Sequence, residues 1–296
     1  MSGAWARTLR AGNLPTVWTN VLVGAMVALP LAQPPPPLGA LALMLLAGSC
    51  AYMGGMALND VFDLSFDQSV GTPRPLAQGS LKQRTVVLVA ATLLVASFVA
   101  ALGAACLAGQ PAIYTAACAA ALVFAIVDYN AMHRRNWALA AVLMACCRVL
   151  LVLLTAIALA GEVAGPVWIA AGAIGLWTAG ITVLARGERG GEAHARGWLV
   201  LFLAAALCTV PLYMVVAADA FSMLLAGLFI LLVCWIPSIY GCRRKGRHTG
   251  AVLWSIAGLC VLDMALLESI GRIEAGCIAM VCGVLCMFLH RRVLGT

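Results

Sequence analysis

Apolar stretches follow one another along nearly the whole chain, separated by short polar pieces. A helix rises 1.5 Å per residue, so about 20 mostly apolar residues cross a hydrocarbon core about 30 Å thick. By that measure the pattern predicts ten spanning segments, near 14–32, 38–59, 85–108, 110–128, 137–160, 165–185, 198–218, 221–240, 250–267 and 274–290. Apolar positions need not keep to one stripe where the surroundings are lipid, so periodicity adds little here. The predicted fold class is all-α, a polytopic membrane bundle, with 1–296 as a single domain and no linker long enough to mark a second.

Composition agrees: 64% of the 296 residues are hydrophobic and 10% charged, against roughly 25% charged in an average soluble domain. The run Pro34 to Pro37 reads as a short stiff connector. No small-residue cleavage site follows the first apolar stretch, so that segment is expected to stay as a spanning helix. The twelve cysteines show no CxxC pair with companion histidines and read as small packing residues.

The basic residues orient the chain. With a cytoplasmic N-terminus, sixteen of the 18 Lys and Arg, from Arg7 and Arg10 to Arg291 and Arg292, fall on the cytoplasmic side. Arg272 falls opposite and Arg148 within a span. The net charge of +7 is therefore a topology signal and an affinity for anionic lipid or phosphate. It is no nucleic-acid footprint, since no basic stripe interleaves with aromatics. Trp137, Trp168 and Trp198 fall at helix ends, where interfacial tryptophans belong.

Only eleven acids exist. At the end of the second segment runs Asn59-Asp60-Val61-Phe62-Asp63-Leu64-Ser65-Phe66-Asp67. If the helix continues, Asp60, Asp63 and Asp67 share one face and repel one another unless a cation joins them. A hard divalent ion such as Mg²⁺, bound by carboxylates and phosphate oxygens, relieves that repulsion. Glu188 and Glu192 lie just past the sixth segment on the same side; alone they could equally be a solvated loop. Between the clusters come a proline-stiffened loop carrying Arg74 and a loop reading Tyr129-Asn130-Ala131-Met132-His133-Arg134-Arg135. These basic groups could meet phosphate oxygens, although positive-inside topology also accounts for the arginines.

Asn59-Asp60-x-x-Asp63-x-x-x-Asp67, followed by Arg74-Pro75-Leu76 and Gly79, resembles the first signature of the UbiA superfamily of intramembrane prenyltransferases. Glu188-x-x-x-Glu192 stands where that family carries a second motif, an aspartate pair with three residues between. Tyr129-x-x-x-His133-Arg134 is similar to its tyrosine-then-lysine-arginine loop. Arg186-Gly187-Glu188, with Asp263 in the ninth segment, also resembles the EboC-like subgroup.

The resemblance implies nine to ten transmembrane helices around a central cavity, in a multi-pass protein of the bacterial inner (plasma) membrane. The N-terminus and acidic motifs are then cytoplasmic. The implied reaction is transfer of a prenyl group from an allylic polyprenyl diphosphate to a hydrophobic or aromatic acceptor. Asn59, Asp60, Asp63, Asp67, Glu188 and Glu192 would hold Mg²⁺; Arg74, His133 and Arg134 would grip diphosphate; Asp60, Asp63 and Tyr129 would be catalytic. Partners are these two substrates and membrane lipids.

Glutamates in place of aspartates and His133 in place of lysine depart from the family pattern. They leave a second reading open: a non-catalytic EboC-type protein that binds or helps move a lipid-linked or aromatic precursor. An ion-coupled transporter fits less well, because most acids sit at the rim and not at the midplane. Arg148 and Asp263 do lie deep in the fifth and ninth segments. They are expected to pair with each other or to line the acceptor cavity.

Overall fold

The computed structural model describes residues 2–29, 35–186, 197–216 and 221–293, and everything below concerns these. A backbone in lipid must satisfy its own hydrogen bonds, and no strand occurs among the described residues. A short α1 (Ser2–Thr8) and a 3-10 turn at Ala11–Asn13 lead into α2 (Leu14–Ala28). Then come α3 (Leu38–Phe62), a one-residue break at Asp63, and α4 (Leu64–Val70). Four long helices follow: α5 (Gln83–Leu107), α6 (Ala112–Met132), α7 (Trp137–Ala160) and α8 (Gly165–Arg186).

The second half is more broken. It holds α9 (Gly197–Leu207), α10 (Thr209–Val216) and α11 (Phe221–Phe229), then a π-helical stretch at Ile230–Trp235 that runs into α12 (Ile236–Arg244). Two further long helices, α13 (His248–Ser269) and α14 (Ile273–Val293), complete the bundle.

Among the described residues nine helical runs are long and apolar enough to cross a membrane, counting α9–α10 as one and α11–α12 as another. The protein is thus an integral, multi-pass membrane protein. The first predicted segment, 14–32, is the one that falls short. Its helix α2 has 15 residues, about 22 Å at 1.5 Å each, and residues 30–32 lie outside the described set. The fourth segment, predicted to end at 128, runs a further turn to Met132, which carries Tyr129 and Asn130 on a helix and not in a loop.

Local signals set the helix ends. Asn136 caps α7, its Oδ1 accepting from Ala138 N at 2.9 Å and Leu139 N at 3.2 Å. Gly71 ends α4 in the left-handed region at φ 70°. One core lies between α2, α3, α5 and α7, built on Met44, Leu154 and Leu159. The larger one surrounds α8 and α13, where Trp177 stacks on Phe202 at 4.1 Å. Trp198, expected at the interface, is instead buried edge-on against Phe202 at 5.4 Å. Trp137 and Trp168 are exposed.

α2 packs tightly against α7. A Cβ at Gly24 would stand 2.8 Å from the Val152 carbonyl oxygen and 3.0 Å from the Thr155 Cβ. Gly24→Ala is therefore expected to cost about 1–3 kcal/mol by overpacking, read by unfolding in mixed micelles. Gly172→Ala, on α8 with no atom within 4 Å of the added Cβ, should leave stability equal or slightly raised. Equal effects at the two sites would contradict the close α2–α7 contact.

Candidate functional site

The aspartates gather because the chain barely leaves the helical path at Asp63. The Asp63 amide donates to the Asn59 carbonyl and the Asp67 amide to the Asp63 carbonyl, each at 2.9 Å. Asp60, Asp63 and Asp67 thus stay on one side, and all three are buried. The loop opposite is fixed by its own contacts. The Thr72 amide donates to the Asp67 carbonyl at 3.0 Å, and Leu76 is buried against Ala57, Val86 and Ala90. That anchor brings Arg74 over the carboxylates.

Arg74 Nη1 stands 2.7 Å from Asp67 Oδ2, 3.1 Å from Asp63 Oδ2 and 3.6 Å from Asp60 Oδ1. On its other oxygen, Asp63 accepts from Arg134 Nε at 2.6 Å and meets His133 Nε2 at 3.1 Å. Burial alone would raise the Asp63 pKa, but hydrogen bonds from His133, Arg134 and Arg74 outweigh it and hold the carboxyl well below the usual carboxylate range. Burial likewise disfavours the Arg74 charge, yet Asp60, Asp67 and Asp63 together raise its pKa. Arg134 also lies 3.7 Å over the Phe66 ring, and Tyr129 stacks on His133 at 5.2 Å.

Two residues join that the sequence reading counted only as topology or loop. Arg10, in a left-handed backbone conformation at φ 46°, donates from Nη2 to Asn59 Oδ1 at 3.1 Å and lies 3.9 Å from Asp60 Oδ1. Asn130, buried in α6, accepts from Asn59 Nδ2 at 3.2 Å and donates to the carbonyls of Ile126 at 2.9 Å and Gly55 at 3.3 Å. A polar residue breaking the apolar run at 119–132 was the available signal for Asn130. Nothing in the sequence separates Arg10 from the other basic residues of its side.

Below this cluster opens a cavity of about 680 Å³. Asp63, Arg74 and Arg134 line its polar mouth, and Leu122, Ile126 and Leu259 contribute to its apolar wall. Of the three aspartates only Asp63 lines it; Asp60 and Asp67 do not. Arg148 lines it as well, but Asp263 does not: it is fully buried away from the cavity. Nor do the two pair directly. Asn20 stands between them, accepting from Arg148 Nη1 at 2.7 Å and donating to Asp263 Oδ2 at 2.7 Å. Glu188 and Glu192 lie outside the described residues.

Three carboxylates converging on one cationic nitrogen form an all-oxygen, anionic donor set, the chemistry a hard divalent ion takes. Among the described residues, though, no three His, Cys, Asp or Glu side chains stand close enough to hold a metal ion. The donors fit the ion in kind, and Arg74, Arg134 and Arg10 offset part of their charge.

The sequence model of the UbiA prenyltransferase family matches residues 18–254. No curated protein matches the chain. Among solved structures, a digeranylgeranylglyceryl phosphate synthase is 15% identical with a TM-score of 0.65, over 93% of this chain and 100% of that one. A UbiA homologue from Archaeoglobus fulgidus bound to DMAPP and Mg²⁺ is 13% identical with a TM-score of 0.63, over 88% of this chain and 98% of its own. The same source bound to GPP and Mg²⁺ gives 15% and 0.54, over 89% and 99%. At these identities the likeness is one of fold.

Asn130→Leu should leave Asn59 Nδ2 and the Gly55 carbonyl without their partner. The expected loss is about 1–3 kcal/mol for buried groups left unsatisfied, read by unfolding in mixed micelles. An unchanged transition would mean that Asn130 does not tie α6 to α3.

Proposed function

This chain belongs to the UbiA prenyltransferase family, and from that premise we propose that it transfers a prenyl group from an allylic polyprenyl diphosphate to a hydrophobic or aromatic acceptor within the membrane. The observation that carries the proposal is the convergence of Asp60, Asp63 and Asp67 on Arg74 Nη1 at the polar mouth of an apolar cavity. Solved UbiA homologues bound to DMAPP or GPP together with Mg²⁺ support it. The whole chain, 1–296, acts as one such domain. Its N-terminus and acidic motifs face the cytoplasm of a bacterial inner membrane, as the one-sided distribution of Lys and Arg suggests.

Asp60, Asp63 and Asp67 with Asn59, and Glu188 with Glu192, would hold Mg²⁺. When bound, the ion offsets the charge that builds on the diphosphate as its bond to the allylic carbon breaks. Arg74, Arg134 and His133, now turned onto Asp63, are within reach of diphosphate oxygens arriving at the mouth. Charge-assisted bonds from their N–H groups favour the departing anion over the bound ester. Tyr129, stacked on His133, holds that ring in place.

The allylic carbon gives up its bonding pair to the leaving oxygen and receives a new pair from the acceptor, which loses a proton. Water must stay out or the prenyl group is hydrolysed. The apolar wall formed by Leu122, Ile126, Leu151 and Leu259 does this and houses the tail.

The non-catalytic reading gains from one observation: Arg74, Arg134 and Arg10 already stand as counter-charges to the aspartates. Melting in detergent separates the two. Catalysis predicts a rise in Tm that needs Mg²⁺ and geranyl diphosphate together, and that disappears in Asp63→Asn. With native lipid extract as the acceptor source, Asp63→Asn is expected to lower Mg²⁺-dependent incorporation of labelled geranyl diphosphate about 100-fold or more. A folded Asp63→Asn protein with full Mg²⁺-dependent transfer would refute the assignment. A wild type indifferent to both ligands would favour the scaffold.

A further inference from the structure

Partway down the cavity stands a second polar group that the diphosphate site does not use. Arg148 lies about 16 Å along α7 from its first turn and lines the cavity. Its Nη1 donates to the Thr16 carbonyl at 3.2 Å and to Asn20 Oδ1 at 2.7 Å, and its Nη2 donates to Thr16 Oγ1 at 3.0 Å. A guanidinium has five N–H donors. Three are spent here, which leaves one on Nη2 and the one on Nε without a hydrogen bond among the described residues. Every partner in these bonds is neutral, and no carboxylate forms an ion pair with Arg148 among the described residues.

Asp263 could have taken the guanidinium fork directly, and the fold prevents it. Its Oδ2 accepts from Asn20 Nδ2 at 2.7 Å. With Nδ2 held by Asp263, the Asn20 side-chain oxygen is left to accept from Arg148 Nη1 at 2.7 Å. Tyr52, which also lines the cavity, has its ring centroid 5.7 Å from Arg148 Cζ. Its hydroxyl accepts from Asn13 Nδ2 at 2.8 Å, which leaves its own O–H free to donate. A held cation with two unspent donors and a tyrosine hydroxyl thus belong to residues lining one largely apolar cavity. Such a set recognises a planar or tetrahedral oxyanion, and it does so more strongly where the surroundings are of low dielectric.

We infer that Arg148 and Tyr52 dock an oxyanionic group, a carboxylate or a phosphate, carried by the acceptor. The word "acceptor" rests on the prenyl-transfer reading; the anion site does not. Asn20 and Asp263 are positioning residues: they set the guanidinium and never touch the ligand. An acceptor tethered by its anionic end enters the cavity in one orientation, so its reacting atom is presented repeatably to the allylic carbon.

The test uses the full chain in detergent without Mg²⁺ or any allylic diphosphate, so its outcome is independent of transfer. The probes are benzoate, phenyl phosphate and uncharged benzyl alcohol, read by melting temperature and by titration.

At least one oxyanion is expected to raise Tm with concentration while benzyl alcohol does not. Benzoate alone acting assigns a carboxylate acceptor, and phenyl phosphate alone a phosphate one. Arg148→Gln should weaken binding at least about tenfold, and Tyr52→Phe about three- to tenfold. The inference is overturned if neither oxyanion exceeds benzyl alcohol, or if Arg148→Gln binds as the wild type does. Should Arg148→Gln fail to fold, unchanged affinity in Tyr52→Phe overturns it instead.

Discussion

Three buried carboxylates within about two helical turns repel one another and cannot stand without compensating charge. In this chain the compensation comes from Arg74, Arg134 and Arg10, with Arg74 Nη1 at the centre, 2.7, 3.1 and 3.6 Å from oxygens of Asp67, Asp63 and Asp60. Burying such a group costs several kcal/mol per ion unless geometry and hydrogen bonds offset it. Much of the surrounding structure serves that offset. Leu76 anchors the loop that delivers Arg74, Asn130 fixes Asn59, Arg134 and His133 take the second oxygen of Asp63, and Arg10 adopts a left-handed backbone to reach Asn59. The cluster draws α3, α6, the N-terminal turn and the loop after α4 into one mouth.

Deeper in the bundle the same problem is solved in another way. Arg148 and Asp263 carry opposite charges at similar depth, yet Asn20 is interposed and the two ions never touch. A direct pair would have satisfied both and left an inert strut. The interposed amide keeps the guanidinium on the cavity wall with donors to spare, while α13, the most buried of the long helices, carries the carboxylate out of the cavity's reach. The mouth is thus self-compensated and the floor is only partly so.

Much of this was legible in the sequence because lipid leaves few choices. Apolar stretches of spanning length fixed the helices, and the run from Asn59 to Asp67 fixed where charge would gather. Tyr129 was misplaced into a loop because the polar residues at 128–130 imitate a helix end, whereas the hydrogen bonds of Asn130 to Ile126 and Gly55 keep that turn inside the bundle. Trp198 read as interfacial by its place at a helix start, and packing against Phe202 overrode that preference. The Arg148–Asn20–Asp263 chain joins residues 128 and 243 positions apart. No local pattern could announce Asn20, since a lone asparagine in an apolar helix has no partner until the fold supplies one.

On this proposal two acidic stretches, around Asp63 and around Glu188, meet at one water-facing mouth, where divalent ions would replace Arg74 as the aspartates' counter-charge when a pyrophosphate arrives. Anomalous diffraction from crystals grown with Mn²⁺ and inorganic pyrophosphate measures this directly. The account predicts manganese peaks at both Asp60–Asp67 and Glu188–Glu192, with the pyrophosphate between them and Arg74 turned from the aspartates onto its oxygens. Manganese bound away from Asp63, or Glu188 found on the opposite membrane face, would contradict it.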